Sequence, residues 1–241
     1  MKKLMIALLA LAWPAFQALQ AQTSLSQDEQ KTLIFLAEEE KMAHDFYQAM
    51  ETKWGAKVFN HIVEAEQRHL SRLAELAAAQ SVTLPESLTS GKAGKFKNKD
   101  LQQLYDGLIT TGNQSLEAAL RAGARVEESD IRDLKQALET TGNEELRSTY
   151  QYLAEASGNH LRAFNKNLTA QGVAYQPVLL SQADFDAIVA VEGGGQGCQG
   201  NKGQGCCQNK QGKQGQGCCQ NKGGKQGQGC QGKGKGRQSM D

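Results

Sequence analysis

Apolar side chains recur at spacings of three and four residues along four separate stretches of this chain, and nowhere do they alternate over a useful length. That period belongs to one face of an α-helix. The first stripe runs Leu33, Leu36, Glu40, Ala43, Tyr47, Met50, and the second Ile62, Glu66, His69, Leu73, Leu76. The third is Leu120, Ala124, Glu127, Ile131, Leu134, Leu138, and the fourth Leu146, Tyr150, Leu153, Ser157, His160, Phe164, Leu168. Val and Ile are too sparse to build strands. The expected fold is therefore all-α, with two helical hairpins joined by a long crossover between helices 2 and 3.

Local signals bound these helices. Ser26-Gln27-Asp28-Glu29 is a capping box that opens the first, and Gly55 ends it. The second follows after a short turn, from about Phe59 to Gln80, so the two should pack antiparallel. From Ser81 to Asp100 the pattern fails, with Pro85, Gly91, Gly94 and four lysines marking the crossover; a short amphipathic piece, Leu101 to Ile109, rides on it. Thr110-Thr111-Gly112-Asn113 should stop that piece and open the third helix, with Asn113 or Ser115 as cap, running to about Thr140. Thr140-Thr141-Gly142-Asn143 repeats the signal before the fourth helix, which Gly172 stops. Tyr175-Gln176-Pro177 reads as a turn, and Ser181 caps a last short helix to about Val191.

Each stripe carries an ionisable residue where a core residue belongs: Glu40; Glu66 with His69; Glu127; His160. A charge facing a core is costly unless it is paired or bound to a metal. Glu66 and His69, three apart, project from one face, and Glu-x-x-His aimed into a bundle is how di-metal carboxylate proteins supply ligands. A lone buried Glu or His is more often an ordinary hydrogen-bonded residue. Four together, each near the middle of its helix, point to a metal site. Glu39 lies at the edge of the first stripe, Glu38 points elsewhere, and Asp130 lies on the flank of the third.

The segments Ala37-Glu-Glu-Glu-Lys-Met-Ala-His-Asp-Phe-Tyr47, Glu66-Gln-Arg-His69, Gly123-Ala-Arg-Val-Glu-Glu-Ser-Asp-Ile131 and Ser157-Gly-Asn-His-Leu-Arg-Ala-Phe164 resemble the ferritin-like "domain of unknown function 2202" family, over about residues 27–190 and including Tyr175-Gln-Pro177. The spacing of Glu40 and Tyr47 also resembles the first helix of ferritins. The resemblance implies a ferritin-like four-helix bundle. In that superfamily a Glu from each of two helices, and Glu-x-x-His from each of the other two, bind a di-iron centre. One position departs: the carboxylate expected three residues before His160 is Ser157, and Glu155 points away. Asp130 or His44 stands in as the missing ligand, or the second metal binds weakly.

On this reading Glu66 bridges, Glu40 and Glu127 are terminal or bridging, and His69 and His160 each ligate one ion. Carboxylates with a few imidazoles and no thiolate suit two iron ions, with manganese or zinc as alternatives. Tyr47 either serves the chemistry, by hydrogen-bonding a ligand or passing an electron, or is a core tyrosine with a satisfied hydroxyl.

The two ends differ from this middle. Met1-Lys2-Lys3, an apolar run from Leu4 to Ala12 and small or polar residues to Ala21 read as a signal peptide cleaved after Ala21. Export to the periplasm or outside the cell follows, with no stable membrane insertion once it is removed. Residues 22–192 hold 25 Asp/Glu against 17 Lys/Arg and no Cys. This acidic balance gives no footing for nucleic acid. From Gly193 to Asp241 the chain is Gly, Gln, Lys, Asn and Cys, with Gly-Gln-Gly-Cys four times over and all six cysteines. Such a basic, apolar-poor tail is expected to be disordered. Its cysteines cross-link by disulfides, bind copper or zinc, or do neither; a homodimer or tail-mediated disulfide cross-linking is the partner expectation beside metal ions.

The functional expectation is redox chemistry with oxygen or peroxide, ferroxidase- or peroxidase-like if it turns over. Its rivals are metal sequestration or delivery without turnover, and a structural protein cross-linked through the tail.

Overall fold

The computed structural model of the protein describes residues 24–191, which form seven α-helices and no strand among them. The expected signal peptide and Cys-containing tail lie outside the described residues. Helix α1 spans Gln27–Trp54. It opens on the expected capping box, in which the Ser26 hydroxyl accepts from Glu29 N at 3.2 Å and Glu29 Oε2 accepts from Ser26 N at 2.9 Å. It closes on Gly55 at φ 61°, a left-handed conformation that favours glycine. Glu29 also accepts from the Thr141 hydroxyl at 2.8 Å, tying the start of α1 to the turn between the third and fourth long helices.

Helix α2, Lys57–Ala79, returns antiparallel to α1. The crossover that follows is less featureless than expected: it carries a single helical turn, α3, Glu86–Thr89, and a full helix, α4, Lys99–Gly112. Helix α4 outruns its expected limits at both ends. Asn98 caps its start, accepting from Asp100 N and Leu101 N. At its end Gly112 is its last residue, not a left-handed stop. A side chain there would bring a Cβ to 2.6 Å from Met50 Sδ and 3.1 Å from Phe46, so glycine lets α4 lie against α1.

Helix α5, Leu116–Thr140, is capped by Ser115, and α6, Glu144–Ala170, by Asn143. Gly172, at φ 75°, follows the end of α6. A last helix, α7, Gln182–Ala190, is capped by Ser181 and packs on α6. The four long helices form the bundle: α1 pairs with α2, α5 with α6, and contacts of α1 with α5 and α2 with α6 close it. The third stripe ends on Ala137, while Leu138 is only partly buried.

The core is divided. One apolar cluster gathers Phe46, Tyr47, Phe59, Leu120 and Phe164; the other gathers Leu33, Leu36, Leu73, Leu134, Tyr150 and Leu153. Glu40, Glu66, His69 and His160 fall between the two along their helices, and Glu127 lies within the last turns of α5 that belong to the first cluster, between Val126 and Ile131. A polar layer therefore crosses the bundle at mid-height.

Candidate metal centre

Glu40 on α1, Glu66 and His69 on α2, and Glu127 on α5 are each no more than 3% exposed, and the His160 side chain on α6 keeps 12% of its surface. Glu66 sits between two groups. Its Oε2 lies 2.7 Å from His69 Nδ1, which is also 3.3 Å from Glu40 Oε2. Its Oε1 lies 2.9 Å from His160 Nδ1, which is 3.5 Å from Glu127 Oε1. One ligand atom from each of Glu40, Glu66 and His69 lies within 4.8 Å of the others, and the same holds for Glu66, Glu127 and His160. The two imidazoles stack, centroids 5.5 Å apart.

The electrostatics follow from this packing. Burial, reinforced by the Glu66 charge, pushes Glu40 up to about 8. Burial works against a charged His69, but its contacts with Glu40 and Glu66 raise it to about 9. Against burial, His160 and His69 hold the Glu66 carboxyl well below the usual carboxylate range. Burial raises Glu127, with His160 opposing, and His160 itself is driven well above its ordinary value by Glu66 and Glu127 despite burial.

Three atoms of the second group have no hydrogen-bond partner although buried: Glu66 Oε1, Glu127 Oε2 and His160 Nδ1. Orphaned buried acceptors are rare and call for an ion or water. Convergent carboxylates and imidazoles without thiolate form a donor set that fits a divalent transition metal. Tyr47, fully buried, donates its hydroxyl to Glu127 Oε1 at 2.6 Å, with Gly123 O at 3.2 Å. Burial and the Glu127 charge hold its phenol well above the usual range. Gly123 permits the approach of α6: a Cβ there would lie 2.6 Å from the Phe164 ring, which packs on Tyr47 at 5.3 Å between centroids.

The remaining sequence candidates fall outside the two groups. Asp130 is 2% exposed and within electrostatic reach of Glu127, Glu40 and Glu66, but belongs to neither set. His44, the other candidate for the missing ligand, belongs to neither group; its Nδ1 lies 3.1 Å from Asp45 Oδ1. Ser157 is buried and returns its hydroxyl to Leu153 O at 3.1 Å; Glu155 is exposed. Among the described residues the group of Glu66, Glu127 and His160 takes in no further carboxylate at that position.

Four further acids, Glu38, Glu39, Asp45 and Glu128, are buried although periodicity leaves them off the core line. Glu38 accepts from Lys97 N at 2.6 Å, Asn98 N at 3.1 Å and the Ser87 hydroxyl, pinning the crossover onto α1. Glu128 accepts from the N–H groups of Val178, Leu179 and Leu180 and from the Tyr175 hydroxyl. Glu39 is buried with neither oxygen partnered. Glu39 had a partial signal, at the edge of the first stripe; Glu128 had none, because the segment after Tyr175 that covers it is distant in sequence.

The family model for an uncharacterized protein domain, DUF2202, matches residues 29–192. The chain belongs to the DUF2202 family. Among curated relatives it is similar to the uncharacterized protein MJ0754 of Methanocaldococcus jannaschii, 33% identical over 166 residues that cover 69% of this chain and 89% of the relative. The crystal structure of hypothetical protein MJ0754 from Methanococcus jannaschii superposes with a TM-score of 0.68, covering 70% of this DUF2202 chain and 95% of that one. The structural match agrees with the all-helical bundle. Among the described residues no helix is long and apolar enough to cross a membrane.

Proposed function

We propose that this DUF2202 protein is an exported metal-binding protein whose polar layer holds two ions, iron by preference, for redox chemistry with oxygen or peroxide such as ferrous oxidation. One observation carries the reading: Glu66 turns one carboxylate oxygen to His69 and the other to His160, so a single residue serves two half-sites. The orphaned atoms of the Glu127 half support it, since the residues present fit a cation better than they fit one another.

When bound, such ions supply one-electron chemistry and Lewis acidity that these side chains lack. The chain's own contributions are separate. Glu40 and His69 hold one half-site, Glu127 and His160 the other, and the Tyr47 hydroxyl orients Glu127 as an outer partner that fixes a ligand's direction. Apolar clusters on either side exclude water. Cover is thinnest between α2 and α6, where His160 keeps its exposed edge and Tyr152, 44% exposed, stands edge-on to His69 at 5.8 Å.

Binding without turnover is the competing reading, and Ser157 favours it: with its hydroxyl returned to Leu153 O, it gives the paired half-sites no second bridging carboxylate. Metal content of the purified full-length chain, then oxygen or peroxide consumption on adding ferrous iron, separates the two. Stoichiometric metal with iron-dependent oxygen uptake supports the first; metal without uptake supports the second. Unchanged metal content in the double variant Glu66→Ala, His69→Ala would sink both.

A further inference from the structure

A groove of about 600 Å³ runs between α4 and α5, and none of the residues that line it belongs to either half-site. Its floor is apolar: Leu104 and Leu108 from α4, Ala122 from α5 and the ring of Tyr175. Leu108, Ala122 and Tyr175 are no more than 6% exposed, so the floor is part of the core. Val178, exposed, stands on the rim. That wall is held in place. Glu128 accepts from the N–H groups of Val178, Leu179 and Leu180 and from the Tyr175 hydroxyl, which fastens the segment to α5. The groove is therefore preformed, and its size falls within the roughly 300–1,000 Å³ of small-molecule sites.

Gly107 keeps it open. It lies inside α4, where glycine is a poor helix former. Packing requires the helical glycines Gly112 and Gly123: a Cβ would come to 2.6 Å from Met50 Sδ at the first and 2.6 Å from the Phe164 ring at the second. At Gly107, which lines the groove, a Cβ would meet nothing within 4 Å. Contacts among the described residues give no reason for glycine there, whereas a side chain would take up the groove.

The lining is basic in an acidic domain. Arg121 and Arg125, one turn apart on α5, stand against a single acid, Asp100, although residues 22–192 hold 25 Asp/Glu against 17 Lys/Arg. Arg121 is partly spent, donating from Nε to Glu117 Oε1 at 2.8 Å and from Nη1 to Ala174 O at 3.1 Å. Arg125 is exposed and, unlike Arg121, has no such partner among the described residues. An apolar floor with an unspent guanidinium at its edge is complementary to an apolar body that carries an acid group, and the planar fork of arginine matches a carboxylate.

We propose that the groove between α4 and α5 binds a small amphipathic carboxylate, its apolar body on Leu104, Leu108 and Ala122 and its acid group at Arg125. The inference goes beyond the proposed function and does not rest on it.

Calorimetric titration of the purified full-length chain with octanoate, and with octan-1-ol as its uncharged counterpart, tests the site. Octanoate should bind once per chain and at least about fivefold tighter than octan-1-ol, a preference that a charge-assisted hydrogen bond supplies. Arg125→Gln should erase the preference without weakening octan-1-ol. Gly107→Leu should abolish binding of both, with a melting temperature no lower than that of the wild type. Amide shifts caused by octanoate should gather on α4 and α5 around Gly107 and Arg125. Absence of saturable octanoate binding would overturn the site. So would octanoate binding that survives Gly107→Leu in a folded protein, the result expected if the carboxylate were held at a metal instead. Octan-1-ol bound as tightly as octanoate would overturn the assignment of a carboxylate. If Gly107→Leu fails to fold, the wild-type shifts and Arg125→Gln decide, and shifts confined to other helices would overturn the site.

Discussion

The two halves of the polar layer share Glu66 but are finished differently. In the Glu40 half, His69 Nδ1 is held by both Glu66 and Glu40, and every member is 3% exposed or less. In the Glu127 half, His160 Nδ1 lies within ion-pair distance of its carboxylates without hydrogen-bond alignment, Glu127 Oε2 is orphaned, and an edge of the imidazole meets solvent. The first half is closed by its own hydrogen bonds. The second is closed on one side by Tyr47 and has open donors on the other. An intact Glu-x-x-His thus organises its half-site, while the helix that carries Ser157 supplies a histidine with nothing on its own face to hold it.

On the account proposed above, the halves should therefore differ in affinity, and variants can widen or erase the difference. The largest effect is expected from His69→Ala, which should weaken the tighter ion by more than about a hundredfold in an anaerobic manganese titration, beyond the usual cost of losing an outer-shell partner. Equal weakening of both ions would contradict the inequality. Ser157→Glu should narrow the gap from the other side. It restores a second Glu-x-x-His, and the weaker ion should gain about tenfold in affinity or more, while the metal-free protein becomes less stable because another buried acid has been added. No gain in a folded variant would mean that Ser157 is not the missing ligand position.

Acidity offers a third lever. Glu40, raised from 4.5 to about 8, and His69, raised from 6.5 to about 9, both bind protons more tightly folded than unfolded. Stability of the metal-free protein is then lost as pH rises, through about 8 for Glu40 and about 9 for His69. Glu66, held low, acts in the opposite sense and costs stability only as pH falls below its ordinary 4.5. Glu127, Asp130 and Glu39, all raised mainly by burial, act in the same direction as Glu40. Thermal unfolding should show the metal-free melting temperature falling by at least about 5 °C between pH 6 and pH 9, with the fall much reduced once metal replaces the protons. A metal-free melting temperature that rises over this range would contradict the assignment. The smallest effect is Tyr47→Phe, which removes the donor to Glu127 and should cost the weaker ion about tenfold while leaving the tighter one unchanged.

The bundle was legible because its cause is local. Helical spacing, the capping box at Ser26 and the caps at Ser115, Asn143 and Ser181 set the element order, and the stripes placed Glu40, Glu66, His69, Glu127 and His160 at one level. The crossover was less legible. Gly112 reads as a stop in sequence, but its purpose is the approach to Met50 and Phe46, which depends on where α4 lies. The same holds for Glu38, Glu128 and the Lys41–Asp45 pair: each lies on a helix face that periodicity gives to solvent, and each is buried because a distant segment covers it. Lys41 donates to Lys92 O and Asp45 accepts from Gly94 N, contacts made across about fifty residues of chain. His44 reads as a ligand because it lies one turn after Glu40, whereas its Nδ1 lies 3.1 Å from Asp45, which itself accepts from Gly94 N of the crossover.

The claim at the centre is that Glu66 belongs to both half-sites, whereas Glu40 and Glu127 each belong to one. Counting the ions bound per chain, by elemental analysis after anaerobic reconstitution with excess manganese(II) and removal of loosely held metal, tests it directly. Two ions are predicted for the wild type, one each for Glu40→Gln and Glu127→Gln, and none for Glu66→Gln. A Glu66→Gln protein that still holds one ion tightly, or a wild type that holds none, would contradict the account.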